Sequence, residues 1–426
     1  MNDALQFLES LINFERSLVK YGDNAYDPGK LSRILGRFSY EALPFGIIHI
    51  AGTKGKGSTA NYCAELLGAA DGPVGLYTSP HLIRLNERMT VDGVPITDDD
   101  LSDIILRRRD GITAERLTYF EALTFISIIH FITKQCRWAV LETGMGGRLD
   151  ATNFCVPAVS VITPISYDHT KYLGNTLAAI AGEKAGIVKQ GVPVVCGPQA
   201  DEAMKVIIEA ARRKSAPVIK FDDTVSYQII ARSPEGSTVD ATVNAGGKSI
   251  TVDGLRIAQA GDVFAVNFLT ALAAVLAAGV TPSESAIRRV ASVKIPGRIE
   301  RTVNIILDVS HNDASLRALF SALREYFGLA QVNLYIGTLA DKEIGRIAEC
   351  IRAEAGMFGE VGVFDFPTEG ERKSGGAALY EMLKDMDNCA YYADPRDIPF
   401  DSGNVSVFTG SFYAYPILKE IARSAG

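Results

Sequence analysis

No window of about 18 uncharged apolar residues occurs in the 426-residue chain, which excludes a membrane-spanning helix. No long basic run occurs either, and the formal net charge is mildly negative at −7, which excludes nucleic acid and anionic membranes as main partners. The six cysteines (Cys63, Cys136, Cys155, Cys196, Cys350 and Cys389) are scattered, with no C-x-x-C pair. That argues against a disulfide framework or a zinc site and for buried thiols in a reducing cytoplasm. Residues 1–17 lack a basic n-region and a small-residue cleavage site, so they read as an amphipathic helix rather than a signal peptide. There is no repeat at solenoid spacing and no low-complexity tract. No extended apolar surface signal calls for an obligate oligomer, and a monomer is the default expectation.

What is present is the composition of a chain that buries a core: 47% hydrophobic and 22% charged. Its length, at a prior of about 150 residues per domain, suggests two or three domains. Short apolar runs at 47–51, 74–78, 138–143, 159–163 and 192–196 alternate with helical patterns at 58–69, 119–134, 177–185 and 201–214. Strands apolar on both faces, separated by helices, predict a covered parallel sheet. Residues 217–256 break the alternation. Runs at 218–221, 226–231, 238–243 and 249–252, joined by turns such as 244–247, predict a small antiparallel insert, followed by helices at 262–278 and 283–290. Lys294-Ile-Pro-Gly-Arg298 interrupts the pattern, after which a second strand-helix series begins: strands at 305–309, 332–337, 361–364 and 405–409, helices at 314–327, 343–355 and 376–384, and a last helix.

The most informative local feature is Gly52-Thr53-Lys54-Gly55-Lys56-Gly57-Ser58, followed by Thr59, which runs from a strand directly into a helix. Glycines allow positive φ and close approach to an anion, successive N–H groups point at phosphate oxygens, and the helix N-terminus adds a favourable dipole. Lys56 supplies charge to β- and γ-phosphates, and Ser58 or Thr59 offers a hydroxyl to Mg²⁺. The glycine after Lys56 departs from the common P-loop spacing. Glu142 ends an apolar strand, where a carboxylate faces the ligand crevice of a parallel sheet and can hold Mg²⁺.

This loop resembles the nucleotide loop of the folylpolyglutamate synthase and dihydrofolate synthase family, within the wider group of Mur ligases. Further motifs of that family follow in order: Thr78-Ser-Pro-His-Leu82 with Asn86-Glu-Arg88, Thr118-Tyr-Phe-Glu121, the stretch from Glu142 to Asn153, Asp168-His169 and Leu173-Gly174. Then come Glu183-Lys-Ala-Gly-Ile187, Pro296-Gly-Arg298, the stretch from Leu307 to Asn312, and Asp341-Lys342. The likeness spans residues 48–412. Lys54 stands where the family has asparagine, Thr143 where an aliphatic residue is common, and Val309-Ser310 where a Gly-Ala pair is usual. Residues 21–30 match the family least.

The resemblance implies an α/β fold: a P-loop parallel-sheet ATP-binding domain (1–295) with a small antiparallel insert, and a smaller Rossmann-like C-terminal domain (296–426). It implies a cytoplasmic ligase in which ATP phosphorylates a carboxylate and the amine of L-glutamate attacks the acyl phosphate. The acceptor is a folate or dihydropteroate, and the cofactors are ATP and Mg²⁺, with a monovalent cation as an optional addition. His169 is carried over as a ligand of a second metal ion and Ser79 as a further metal ligand, beside Ser58 and Glu142, and Lys184 as a metal ligand after carbamylation by CO₂. Asn267 is placed near adenine and Asp308 at the ribose, with His311 as a further nucleotide contact. Arg298 reaches the γ-phosphate or the developing acyl phosphate, or else forms an interdomain salt bridge. Thr118, Tyr119, Phe120, Glu121, Leu149, Asp150 and Ala151 match substrate-contacting stretches, although Tyr119 and Phe120 equally suit a helix core. The alternatives are a wall-precursor or γ-polyglutamate ligase with the same chemistry, and a P-loop ATPase that drives a partner.

Overall fold

Each of the five apolar runs of the first half forms a strand, and their order places the phosphate loop at the middle of a sheet. The structure, a computed structural model, describes residues 2–15, 27, 29–40, 42–329, 331–368, 372–399 and 404–424; most of the 21–30 stretch lies outside them. The strands are β1 (Gly46–Ala51), β2 (Val74–Tyr77), β3 (Met89–Val91), β4 (Val94–Pro95), β5 (Trp138–Glu142), β6 (Val159–Ile162), β7 (Val194–Cys196) and β8 (Val218–Lys220). They form one sheet in the order β4-β3-β2-β5-β1-β6-β7-β8, parallel from β2 to β8. The β2–β3 and β3–β4 pairings are antiparallel, the second of them a tight hairpin. Its turn residues Asp92 and Gly93 both have positive φ, the geometry that an Asp-Gly pair favours.

The run at 218–221 is not part of the antiparallel insert. Val194 of β7 faces Val218 of β8 in parallel register, and Phe221–Thr224 then turns as a short helix. The helix Asp201–Arg213 supplies the crossover that parallel pairing needs, and nothing in the three-residue strand itself distinguishes the two sheets. The insert therefore has three strands, β9 (Val225–Ser233), β10 (Gly236–Ala245) and β11 (Lys248–Ile257), with β10 central and a Gly246-Gly247 turn. The helix Asp98–Ala114 lies outside the expected elements. Thr97 caps it by accepting the Asp100 N–H, three aspartates occupy its first turn, and Leu101, Ile104, Ile105 and Ile112 face the core. At the N-terminus the expected helix is confined to Asn2–Glu9.

The helix after the phosphate loop, Lys56–Asp71, packs against the helix Asp262–Ala277, which is rich in alanine and admits close approach. The Tyr62 and Phe268 rings meet edge-on at 5.3 Å, and Cys63 Sγ donates to Ala271 O at 3.8 Å. All six cysteines are free thiols, five of them buried.

The second series builds a six-stranded sheet from β12 (Glu300–Thr302), β13 (Ile305–Leu307), β14 (Val332–Ile336), β15 (Phe358–Phe364), β16 (Cys389–Tyr392) and β17 (Ser406–Thr409). Its order is β12-β13-β17-β14-β15-β16, parallel from β13 to β16. The edge strands β12 and β16 were not expected; each is short and partly exposed, so neither carries a continuous apolar run. Among the described residues, no helix is long and apolar enough to cross a membrane.

Candidate active site

The carboxyl ends of β1, β5 and β6 open onto a cavity of about 1060 Å³, whose other wall comes from the second sheet. Its lining includes Gly52–Ser58, Ser79, Glu142, His169, Lys184 and Asn267 on one side and Arg298, Asp308, His311, Lys342 and Arg372 on the other. A crevice at strand carboxyl ends is where open α/β sheets bind ligands.

The loop is built around two glycines that no other residue could replace. Gly52 (φ +153°) leaves no room for a Cβ, which would lie 1.8 Å from Thr163 Oγ1; at Gly55 (φ +78°) it would lie 2.3 Å from Asn267 Oδ1. Asn267 thus packs directly on the loop from a largely apolar helix. Not every loop amide faces the cavity, however. The N–H groups of Thr53 and Lys54 both donate to Pro164 O at 3.1 Å. The loop amides left to face the cavity are therefore those of the first helical turn, where Lys56, Gly57 and Ser58 precede any intrahelical acceptor, the arrangement that suits an anion. Of the two hydroxyls considered for the metal, Ser58 lines the cavity, whereas Thr59 is fully buried beneath it with an unpartnered Oγ1. Helical spacing turns adjacent side chains to different faces, so only one can reach the opening.

Glu142 is 4% exposed. One oxygen accepts the Ser79 N–H at 3.1 Å, and the other stands 3.9 Å from Lys56 Nζ. Burial raises its carboxyl above the ordinary range, against the pull of Lys56. Lys184, also 4% exposed, donates from Nζ to Gly52 O at 2.7 Å. Burial pushes its amine down to about 7, with nearby Lys56 acting in the same direction. His169 adopts a left-handed conformation (φ +50°) just after Asp168, and burial pushes its imidazole down to about 4.

Asp168 joins the two walls. Its carboxylate accepts Asn312 Nδ2 at 3.3 Å, pairs with Lys342 Nζ at 3.4 Å, and lies 3.9 Å from both His169 Nε2 and His311 Nε2. Burial alone would raise its carboxyl, but the surrounding basic groups hold it well below the usual range. Thr170 Oγ1 donates to Glu343 at 2.7 Å and Arg346 stacks over Tyr167, extending the seam. His311 Nδ1 is 3.0 Å from Val309 O, a carbonyl that can only accept, so the ring proton is on Nδ1. Asp308 accepts the N–H groups of Ile299 (3.0 Å) and Ser310 (2.7 Å), tying the junction after Arg298 to the second sheet. Arg298 makes no salt bridge among the described contacts; its guanidinium lies over the Phe412 ring, 5.1 Å from the centroid. Lys54 is half-buried; burial lowers its amine, while Asp313 and Asp168 of the seam pull it back up.

Four residues expected on the substrate side are not on the cavity. Thr118 and Glu121 form a capping box for the helix Tyr119–Thr133: Glu121 accepts the Thr118 N–H at 2.7 Å and Thr118 Oγ1 accepts the Glu121 N–H at 3.4 Å. Their Thr-x-x-Glu spacing is the pattern of a helix start, and the polar groups are used there. Glu121 also pairs with Lys30 at 3.3 Å. Tyr119 is core, and Leu149, half-buried, is not among the lining residues. Phe120, Asp150 and Ala151 do line the cavity. Sequence reasoning missed Arg372, Glu15 and Tyr413. Glu15 receives both terminal nitrogens of the buried Arg88 at 2.8 Å, and its carbonyl accepts Arg372 Nη1 at 3.3 Å; Arg372 also grips Asp341 at 2.5 Å and stacks on Tyr413. These residues lie far apart in sequence and outside any long motif, so only the fold brings them together.

The Mur ligase middle domain family model matches residues 50–275. A folylpolyglutamate synthase from Lacticaseibacillus casei is 33% identical over 397 residues, covering 86% of this chain and 87% of that protein. The chain belongs to the folylpolyglutamate synthase and dihydrofolate synthase family of Mur ligases. Two solved structures of this family share its fold. The Escherichia coli FolC complex with DHPP and ADP has a TM-score of 0.82 at 26% identity, covering 100% of this chain and 98% of that one. The bifunctional folylpolyglutamate synthase/dihydrofolate synthase of Yersinia pestis, complexed with AMPPNP and a Mn ion, has a TM-score of 0.82 at 27% identity, covering 99% and 98%. In this ligase the glycine loop that follows β1 and the second sheet line the same cavity.

Proposed function

We propose that this Mur ligase joins L-glutamate to the carboxylate of a pterin-bearing acid, a folate or dihydropteroate, at the expense of ATP. The observation that carries the reading is the single cavity shared by the phosphate loop and the second sheet, large enough for a nucleotide and an acceptor together. The relatives complexed with ADP and DHPP, and with AMPPNP and Mn, support the choice of ligands. In this reading the working units are 1–295 and 296–426, and one chain supplies both walls, so a monomer suffices. The free cysteines suit a reducing cytoplasm. A monovalent cation has no residues assigned to it.

The residues fit a divalent cation. Glu142 is a buried carboxylate with one N–H donor and one lysine at 3.9 Å, which leaves its charge under-compensated. Ser58 and Ser79 line the same space. Among the described residues no three His, Cys, Asp or Glu side chains converge, so hydroxyls and phosphate oxygens would complete the shell. Ser58 and Glu142 would hold it, with Ser79 and, once modified, Lys184 as further metal ligands and His169 as a ligand of a second ion; Mg²⁺ when bound neutralises phosphate charge.

The chain's own groups then divide the work. The first helical turn and Lys56 hold the β- and γ-phosphates, and Asn267 and Asp308 border the nucleoside. The acceptor carboxylate oxygen attacks the γ-phosphorus in line as the bond to ADP breaks, and Arg298 faces the charge that develops. The glutamate amine then attacks the acyl carbon, loses its proton, and expels inorganic phosphate. The Asp168 seam keeps the walls together meanwhile.

Acceptor-dependent ADP release tests this. Release is expected only when glutamate and either tetrahydrofolate or dihydropteroate are both present. Equal release with both omitted would support the ATPase alternative and overturn the ligase reading.

A second prediction concerns Lys184. Carbamylation forms a bond between Nζ and the carbon of CO₂ with loss of one proton, and it requires the neutral amine. An amine held near 7 is increasingly neutral as pH rises through that value, so bicarbonate is expected to raise activity more at pH 8 than at pH 6. A crystal structure with bound nucleotide should show the added carboxylate; an unmodified, well-ordered Lys184 would exclude it.

A further inference from the structure

Behind the Phe120 wall lies a buried polar chain that the steps above do not use. His49, in the middle of β1, is fully buried, and its Nε2 is 2.8 Å from Thr152 Oγ1. That hydroxyl is 2.6 Å from Asp150 Oδ1. Asp150 Oδ1 also accepts the Thr152 N–H at 3.0 Å, and Oδ2 accepts the N–H groups of Gly144 (2.9 Å) and Met145 (3.1 Å).

The proton positions follow from the donor inventory. Burial raises the Asp150 carboxyl above its ordinary value, but three backbone N–H groups and the Thr152 hydroxyl all hydrogen-bond to its acceptor-only, ionised form and pull it back. The single hydroxyl proton of Thr152 therefore points to Asp150, and Thr152 Oγ1 must accept from His49. That places the imidazole proton on Nε2. Nδ1 has no partner, and a proton there would be a buried, unpaired donor, the costlier alternative. Burial pushes the ring down to about 3, so it is neutral.

We propose that His49, Thr152 and Asp150 form a positioning relay that fixes the turn at 144–147. Four donors tie the Asp150 carboxylate to this turn and its own 3-10 start, at the edge of the cavity. The turn it fixes is wedged between two functional elements. A Cβ at Gly144 would lie 2.7 Å from the Phe120 ring, and one at Gly147 would lie 2.9 Å from the carbonyls of Glu183 and Lys184. Arg148 N–H donates to Glu183 O at 2.8 Å, closing the wedge. His49 thus links the strand that feeds the phosphate loop to the wall that meets the acceptor, without touching either ligand. The relay rests on the ligase reading only for its assay, since the tautomer is read without substrate.

The test compares Thr152→Val and His49→Leu, which break the relay, with Thr152→Ser and His49→Gln, which keep a hydroxyl or an N–H donor. The breaking variants are expected to raise the acceptor KM about tenfold, and the conservative pair to stay within about threefold of the unaltered enzyme, the scale of one lost buried hydrogen bond. The KM for ATP should move less than about twofold, because the relay ends on the acceptor side. Unaltered kinetics in Thr152→Val, or an equal rise in both KM values, would overturn the proposal. Nitrogen-15 NMR of the unaltered protein at pH 7 gives an independent answer, with His49 assigned by the signal lost in His49→Gln. A protonated Nε2 and bare Nδ1 are expected; the Nδ1–H tautomer overturns the relay even if the valine variant fails to fold.

Discussion

Replacing Glu142 with alanine is expected to lower acceptor-dependent ADP release by about 10²-fold or more, the usual scale for losing a group that stabilises transition-state charge. The side chain sits at the carboxyl end of β5 beside Ser79 and Lys56, where the proposed reading puts the phosphates. Its loss should not unfold the protein. Burial raises the Glu142 carboxyl, so the folded state binds its proton more tightly than the unfolded chain does. The ionised group therefore costs stability above its unfolded pKa, and that cost is relieved as pH falls. Alanine should leave the melting temperature at neutral pH equal or higher while activity collapses. A parallel loss of both would mean that Glu142 is structural, and near-normal turnover would remove it from the site.

Lys56→Ala is expected to cost a similar factor, about 10²-fold or more in turnover. Lys56 opens the helix whose first-turn amides are proposed to hold the phosphates, and it is the only cation within 4 Å of Glu142 among the described ion pairs. The two substitutions should not add. Removing Lys56 leaves a buried carboxylate without its partner, so part of the single-variant loss is that exposed charge. In the double variant the loss should fall well short of the product of the two single losses. Measured kcat and KM for all four proteins decide this, and strict multiplicativity would show that the two residues act independently.

Much of this architecture could be read from residue order. Strands such as β1, β5 and β6 are continuous apolar runs because both faces are covered, and Glu142 stands out as the acid that ends one. Edge elements were less legible. β12 and β16 are short and half-exposed, and β8 follows the parallel pattern only through its neighbour β7. The helix Asp98–Ala114 carried a readable start in Thr97 and three aspartates. At the site, the loop and Glu142 follow or end strands, whereas His169 precedes a short helix and Lys184 lies within one, so the place of the last two on the cavity was marked only by the family's motifs. Thr118 and Glu121 show the reverse: a motif shared with a family can serve a helix cap. The Glu15–Arg88–Arg372 chain and the His49 relay depend on contacts between distant segments, which spacing along the chain does not encode.

The hydrogen bond from Lys184 to the Gly52 carbonyl has a chemical corollary. A carbamate nitrogen still carries one hydrogen, so the link to Gly52 survives when CO₂ is added, while the side chain changes from an amine into an anion. The modification would invert local charge without releasing the loop, because the new carboxylate extends beyond a nitrogen that stays anchored. Gly52 would then act as a fixed pivot, and the charge beside the glycine loop would follow the supply of CO₂.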